Sequence, residues 1–304
     1  MSDINSSLEE GMDLLKDAPR SSSSNIASDR SEGTMHQSLK HSAIASVFVL
    51  IAWYYPRHLI HIETHIGSKT PPYQQTQGGD VILDFNLLNP VADPPTIPSR
   101  LLMWTSVWFP LLGLLTHAYI QNKGPQRLIH MTTALGGFAT AIGISESATV
   151  LLKLWIQRPR PNYYSLCGFD KTLLKCTANL EHIREANFSF PSGHSSLTNC
   201  GMTFLVLYSV GQQLCKGNFS LSIPFNIILP WGWAIFVAAS RLVDKWHHPS
   251  DVVAGLALGF VASAIAYHIW YPPLWSKMAG MPRSLCMANV DGLGGMNKLV
   301  SFTE

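Results

Sequence analysis

Charge is scarce in this chain of 304 residues, because Asp, Glu, Lys and Arg together make up only 13% of it. The formal net charge of +2 is too small to predict a nucleic-acid partner. Five cysteines are present, but they include no zinc-type pair, and the acidic residues do not cluster as they would around a divalent cation. The sequence therefore gives no indication of a bound metal or cofactor.

Long apolar runs are abundant instead, and hydrophobic residues make up 47% of the chain. A bilayer core needs about 20 consecutive apolar residues per helix. Six runs approach that length, at residues 42–58, 100–121, 129–152, 195–214, 222–240 and 252–271. The first run is short for a full crossing, and Pro224 and Pro230 break the fifth. We therefore predict an all-α integral membrane bundle of six transmembrane helices over residues 41–271.

Polar segments flank this predicted membrane domain. Residues 1–40 are rich in serine and charged side chains and have few apolar residues, which predicts a disordered tail. Residues 272–304 form the second predicted tail. An even number of spans places both tails on the same side of the membrane.

Three short motifs stand at the boundaries of the predicted spans. In chain order they are Lys153 with Arg160-Pro161, then Pro191-Ser192-Gly193-His194, then Ser240-Arg241 with His247 and Asp251. With six spans, the end of span 3, the start of span 4 and the connection between spans 5 and 6 all lie at the same membrane face. We therefore predict an active site at one face of the bundle.

The cations in these motifs suit a phosphoryl group. A phosphoryl group in transfer spreads negative charge over three oxygens, and fixed cations aimed at them contribute most to catalysis. Arg160 and Arg241 can each bind two oxygens with one planar fork, and Lys153 adds a point charge. Ser192 and Gly193 precede span 4, so their N–H groups can face an anion from a helix N-terminus. Any one of these cations alone would more often be an interfacial anchor.

The histidines of the motifs suit a nucleophile and an acid. His247 and Asp251 are four residues apart, and on a helix that spacing puts both on one face. The carboxylate could accept the proton of one ring nitrogen and leave the other free to attack phosphorus, while His194 protonates the leaving oxygen. The expected intermediate is a phosphohistidine. His248 is also within reach of Asp251, although the spacing favours His247.

These motifs resemble the signature of the type 2 phosphatidic acid phosphatase superfamily, specifically its six-span lipid phosphate phosphatase branch, over about residues 100–271. The resemblance implies a phosphoric monoester hydrolase that needs neither a divalent metal nor another cofactor. It assigns phosphate binding to Lys153, Arg160, Ser192, Gly193 and Arg241, and catalysis to His194, His247 and Asp251. It also implies a site that faces the outside or an organelle lumen, cytosolic tails, and a location in the plasma membrane or an endomembrane.

The substrate is less closely defined by the sequence. A site at the span boundaries favours a lipid phosphate within the bilayer: phosphatidate, lysophosphatidate, diacylglycerol pyrophosphate or a sphingoid phosphate. The alternatives are a polyprenyl diphosphate phosphatase with the same chemistry and a non-catalytic lipid-binding relative. A homo-oligomer is compatible with the sequence but cannot be derived from it. One departure from the family pattern is Gln157, which stands where many lipid phosphatases of this type have glycine.

Two cysteines fall in one loop. Cys167 and Cys176 are nine positions apart in the connection between spans 3 and 4. They could form a disulfide if that loop faces an oxidising compartment, and two free thiols are the alternative.

Overall fold

The computed structural model describes residue 40 and residues 70–217 and 222–286, with the side chains of 222–225 left aside. The predicted first span at 42–58, almost all of the N-terminal tail and residues 287–304 of the C-terminal tail lie outside the described residues.

Five long helices form the body of the described part of the protein. They are α1 (Ser99–Gln121), α2 (Pro125–Ile156), α5 (Gly193–Cys215), α6 (Ser222–Val243) and α7 (Pro249–Trp270). Two short helices, α3 (Tyr163–Cys167) and α4 (Leu180–Ala186), lie in the connection from α2 to α5. Residues Trp104–Trp108 form a π-helical turn within α1.

Four helices in the described part of the chain are long and apolar enough to cross a membrane: α1, α2, α7 and residues Asn226–Val243 of α6. They coincide with the second, third, sixth and fifth predicted spans. The fourth predicted span, 195–214, coincides with α5, which is not among the four. The structure thus shows a mostly helical membrane protein in which four of the six predicted spans are apolar helices of sufficient length.

Helix α5 is less apolar because it lies at the centre of the bundle. It packs against α7, α6, α2 and α1, so its surface contacts protein side chains rather than lipid. Many of its buried residues are small or polar, as expected where helix backbones approach closely. Ser263 of α7 donates a hydrogen bond to the carbonyl of Cys200 at 2.6 Å. The aromatic core of the bundle includes Phe204, Tyr208 and Tyr267.

Helix α6 corrects the expectation that its prolines break it. The helix runs without interruption from Ser222 to Val243, with Pro230 inside it. A proline removes one N–H donor from the backbone ladder, and neighbouring helices allow membrane helices to tolerate that loss.

The all-α prediction misses two short antiparallel hairpins outside the bundle. Strands β1 (Tyr73–Gln75) and β2 (Val81–Leu83) form the first, and β3 (Phe169–Asp170) and β4 (Lys175–Cys176) form the second. Beside them a small core joins the side chains of Leu87, Tyr163, Tyr164, Leu166, Cys167 and Ala186. This small core holds the connection between α2 and α5 against the segment that precedes α1.

Candidate active site

The first motif begins in the last turn of α2. Lys153 extends its ammonium group to the carbonyl of Phe188, 2.7 Å away. Its Cε lies 4.0 Å from the position that a Cβ on Gly193 would occupy. The helix ends at Ile156, and Gln157 then adopts a left-handed conformation with φ 46°. This turn redirects the chain so that Arg160 can reach the same site.

Arg160 is held from several sides. Its Nε donates to the carbonyl of Glu185 at 2.8 Å, and its Nη1 donates to the carbonyl of Trp246 at 3.2 Å. The guanidinium also lies over the Trp246 ring, 5.0 Å from its centroid. Its Nη1 is 3.5 Å from Nε2 of His247. Arg160 is therefore a fixed and buried cation beside the predicted nucleophile.

The second motif forms the N-terminus of α5. Ser192 is the N-cap residue, and its hydroxyl accepts hydrogen bonds from the backbone and side chain of Ser195. The backbone N–H of Ser192 donates to the carbonyl of Asp251 at 3.0 Å, so it is not free to bind an anion as the sequence predicted. Gly193 is the first residue of the helix, where an N–H has no partner within the helix.

His194 lies next to the three cations of the motifs. Its ring lies beside the backbone of Ile97, and the charges of Arg241, Arg160 and Lys153 all act on it. Burial is the largest effect on this ring, and together with the three cations it lowers the pKa of His194 to about 3. A bound phosphate anion would offset the charge of the cations and so favour the protonated ring.

The third motif begins at the end of α6. Arg241 is buried, with 2% of its surface exposed, and its Nη2 lies 3.0 Å from Oδ2 of Asp244. The carboxylate of Asp244 also accepts hydrogen bonds from the backbone N–H and the hydroxyl of Thr96, at 2.9 and 2.6 Å. A buried Arg241–Asp244 pair thus anchors the segment before α1 over the site.

His247 does not lie on a helix with Asp251, as the spacing suggested. It precedes His248, the N-cap residue of α7, whereas Asp251 is in the first turn. Nδ1 of His247 is 2.7 Å from the carbonyl oxygen of Ser189 and 3.8 Å from Oδ2 of Asp251. The nearest acceptor for Nδ1 is therefore the Ser189 carbonyl, and the carboxylate is its more distant neighbour at ion-pair range.

Asp251 is fully buried, and its carboxylate accepts hydrogen bonds from three groups other than His247. Its Oδ2 accepts from the Ser189 hydroxyl at 2.5 Å and from the His248 backbone N–H at 2.9 Å. Its Oδ1 accepts from Nη1 of Arg158 at 2.6 Å. The ring of His248 faces the carbonyl of Pro159 at 3.2 Å, so this histidine is held outside the cluster of cations.

The environment of His247 favours a neutral ring. Burial is the largest effect, and with the positive charges of Arg160 and Lys153 it holds the pKa of His247 well below its usual value, although Asp251 opposes the shift. A carbonyl oxygen can only accept, so the contact with Ser189 places the proton on Nδ1 and leaves the lone pair on Nε2. That nitrogen can act as a nucleophile.

Four residues of the site were missed by the sequence reasoning: Arg158, Glu185, Ser189 and Asp244. Asp244 could have been found, because it stands three residues after Arg241 in a helical segment. Arg158 lies within the first motif, between Lys153 and Arg160, so its position was itself a signal. Glu185 and Ser189 carry no signal in a single sequence, since backbone and long-range contacts bring them in.

Two other features of the prediction can be placed. The structure joins Cys167 and Cys176 in a disulfide that links α3 to β4. Within residues 70–217 and 222–286, no group of three or more His, Cys, Asp and Glu side chains is placed to hold a metal ion.

Comparison with known proteins identifies relatives. The family model of the PAP2 superfamily matches residues 134–275. The chain is 30% identical to a PA-phosphatase related-family protein of Dictyostelium discoideum, over 77% of this chain and 84% of that protein. It is 28% identical to lipid phosphate phosphatase 2 of Arabidopsis thaliana, over 87% of this chain and 93% of that protein. It is also 27% identical to a probable diacylglycerol pyrophosphate phosphatase of Schizosaccharomyces pombe, over 63% of this chain and 71% of that protein.

No solved structure matches the chain. The family match spans all three motifs, so the resemblance to the lipid phosphate phosphatases of this superfamily is confirmed.

Proposed function

The chain belongs to the PAP2 superfamily, and from this premise we propose that it is a metal-independent lipid phosphate phosphatase that hydrolyses phosphatidate and related lipid phosphates. The observation that carries the proposal is the convergence of three cations and two histidines. They lie near the C-terminal ends of α2 and α6 and the N-terminal ends of α5 and α7. This arrangement can hold a phosphate monoester and offers both a nucleophile and an acid to it.

In the first chemical step, Nε2 of His247 attacks phosphorus and the bond to the lipid oxygen breaks. The negative charge of the bound phosphate offsets the cations that lower the pKa of His194, so this ring can carry a proton. His194 donates that proton to the lipid oxygen, and the lipid leaves as a neutral alcohol. The Nδ1–H of His247 stays bonded to the Ser189 carbonyl, which stabilises the ring as it gains positive charge. Lys153, Arg160 and Arg241 stabilise the charge on the phosphoryl oxygens.

In the second step, water attacks the phosphohistidine. His194, now neutral, takes a proton from the water, and the bond between phosphorus and Nε2 breaks. Inorganic phosphate leaves, and both histidines return to their starting protonation states. The chain of events consumes one water and needs no oxidant or further reactant.

A lateral groove supports a substrate with hydrocarbon chains. A cavity of about 860 Å³ lies between α1, α5 and α6. Its apolar lining includes Trp104, Trp108, Met202, Leu205, Leu229 and Trp233. Met202 is eight residues along α5 from His194, about 12 Å at 1.5 Å per residue. A lipid whose phosphate is bound at the helix ends would have its acyl chains at this depth in the bilayer.

We also propose the orientation of the protein. The site faces the cell exterior or an organelle lumen, and both tails are cytosolic. The disulfide between Cys167 and Cys176 lies on the side of the site, and disulfides persist in those oxidising compartments.

The test is phosphate release from phosphatidate in detergent micelles with excess EDTA. We expect release by the wild type, and loss of at least about 10³-fold in the His247→Ala variant. The matched control is His248→Ala, which removes the adjacent imidazole and should keep most of the activity. Acid-labile, base-stable labelling of the wild type by a radioactive phosphatidate would identify the phosphohistidine.

The outcomes separate the alternatives. If only a polyprenyl diphosphate releases phosphate, the chemistry stands and the substrate is wrong. If folded wild-type protein hydrolyses neither lipid, the catalytic proposal fails. If His248→Ala is the inactive variant, the assignment of the nucleophile fails.

A further inference from the structure

We propose that Arg158 and Ser189 are positioning residues that engage the Asp251 carboxylate and so keep His247 in its neutral, nucleophilic form. The proposal rests on the function proposed above and concerns the same site. It follows from the hydrogen bonds that connect Arg158, Ser189, Asp251 and His247.

Arg158 provides the counter-charge of Asp251. Its Nη1 lies 2.6 Å from Oδ1 of Asp251 and 2.6 Å from the hydroxyl of Ser250. The arginine side chain is 36% exposed, whereas the carboxylate is completely buried. Arg158 therefore contacts the bulk solvent on one side and neutralises a buried anion on the other.

Ser189 contacts both the carboxylate and the nucleophile. Its hydroxyl donates to Oδ2 of Asp251 at 2.5 Å, and its carbonyl oxygen is 2.7 Å from Nδ1 of His247. Its own backbone N–H donates to the carbonyl of Arg158 at 3.0 Å. Arg158 and Ser189 thus hold each other in place. Together they position the Asp251 carboxylate and the His247 imidazole.

These contacts divide the neighbours of the imidazole into two sets. The cations Arg160 and Lys153 face His247 from the connection after α2 and from α2 itself, and both disfavour a protonated ring. Asp251, from α7, is the anion that favours protonation. Glu185 lies beyond Arg160, with its Oε1 3.5 Å from Nη2 of the arginine.

Loss of Arg158 would change this balance. Asp251 would remain a buried anion, and the nearest group able to carry positive charge opposite its Oδ2 would be His247, 3.8 Å away. An uncompensated carboxylate at that range favours the imidazolium. A protonated ring has no lone pair on Nε2, so the nucleophile would be lost at a higher pH than in the wild type.

The test is the pH profile of kcat/KM, which reports the ionisations of the free enzyme. Full-length wild type, Arg158→Gln and Arg158→Lys are compared on the same short-chain phosphatidate, so the ionisation of the substrate cancels. We expect the acid limb of Arg158→Gln to move up by about one pH unit. Arg158→Lys keeps the charge and should retain the wild-type limb.

The control variant is Lys171→Gln. Lys171 is an exposed cation in the loop between β3 and β4, and its removal changes the net charge by the same amount. Its acid limb should coincide with that of the wild type. A shift of equal size in this variant would mean that general surface charge explains the result, and the proposal would be overturned.

A second variant covers the case in which Arg158→Gln does not fold. Ser189→Ala removes one donor to the carboxylate but keeps the carbonyl that binds Nδ1, and it should move the acid limb in the same direction by a smaller amount. An unshifted limb in whichever of the two variants folds overturns the proposal. Failure of the proposed function itself has a different signature, because the wild type would then release no phosphate.

Discussion

The turn at Gln157 gives a sharp test of how the first motif is built. Gln157 follows the last residue of α2 and has φ 46°, a left-handed conformation that glycine adopts freely and other residues do not. Its side-chain Nε2 donates to the carbonyl of Leu154 at 2.9 Å. We expect this hydrogen bond to offset the cost of the backbone conformation, which is how a glutamine can occupy this left-handed position.

The magnitudes can be worked through two substitutions. Gln157→Ala loses the side-chain hydrogen bond, about 1 kcal/mol, and keeps the left-handed cost. Gln157→Gly loses the same hydrogen bond but relieves the strain of a Cβ, about 1–2 kcal/mol, partly offset by the greater freedom of glycine in the unfolded chain. The glycine variant should therefore match the wild type, and the alanine variant should be about 1 kcal/mol less stable.

The assay is thermal unfolding of the purified protein in one detergent. A loss of 1 kcal/mol corresponds to a decrease in Tm of about 2–4 °C for a domain of this size. We expect that decrease for Gln157→Ala and almost none for Gln157→Gly, with kcat/KM per folded molecule nearly unchanged in both. Equal Tm values for the two variants would refute the reasoning, because they differ only in the Cβ at the left-handed position.

Three further predictions concern packing, charge and substrate chains. Gly259→Ala would place a Cβ against the backbone of α5, so we expect a clear loss of folded protein on size exclusion, whereas Gly232→Ala, with open space around it, should fold normally. Asp244→Asn removes the counter-charge of buried Arg241, so Tm should fall by the equivalent of about 3 kcal/mol. Because bound phosphate would then compensate the unpaired arginine, phosphate should raise Tm more than in the wild type. An equal increase in Tm with phosphate would contradict this. Leu229→Trp fills the lateral groove at a position that is 67% exposed. KM for a dioleoyl substrate should rise about tenfold, or 1.4 kcal/mol, while KM for a dihexanoyl substrate stays constant. An equal rise in KM for both substrates would contradict the proposal that the groove holds the acyl chains.

Most residues of the candidate site could be identified from the sequence, because its cations and histidines lie at the boundaries of apolar runs. Run length and parity were enough to bring Lys153, His194 and Arg241 to one face, and the structure places their charges within reach of one another. What could not be predicted was the partner of His247. Its Nδ1 contacts the Ser189 carbonyl, and a backbone oxygen has no side-chain identity that a motif could show.

The spans were predicted less completely than the site. The criterion was apolar length, and it suits helices with an exposed apolar surface, such as α1 and α7. It suits α5 poorly, because a helix at the centre of a bundle contacts other helices and can use small and polar residues. The prolines of α6 misled the prediction for a related reason, since local propensity does not show the packing that lets a helix continue through Pro230.

Helix packing and the geometry of the candidate site are linked at Gly255, where α7 crosses the N-terminus of α5. A Cβ at this position would lie 2.5 Å from the Ser192 carbonyl oxygen and 3.0 Å from Cβ of Ser195. The absence of that Cβ lets the first turns of the two helices meet, and there the Ser192 N–H donates to the Asp251 carbonyl. The small-residue stripe of Gly255, Gly259 and Ser263, which from sequence alone predicts only close packing, therefore sets the distance between the second and third motifs. His194 is in the first turn of α5, and His247 immediately precedes the N-cap residue of α7. The separation of the proposed acid and the proposed nucleophile therefore depends on a residue that touches neither of them.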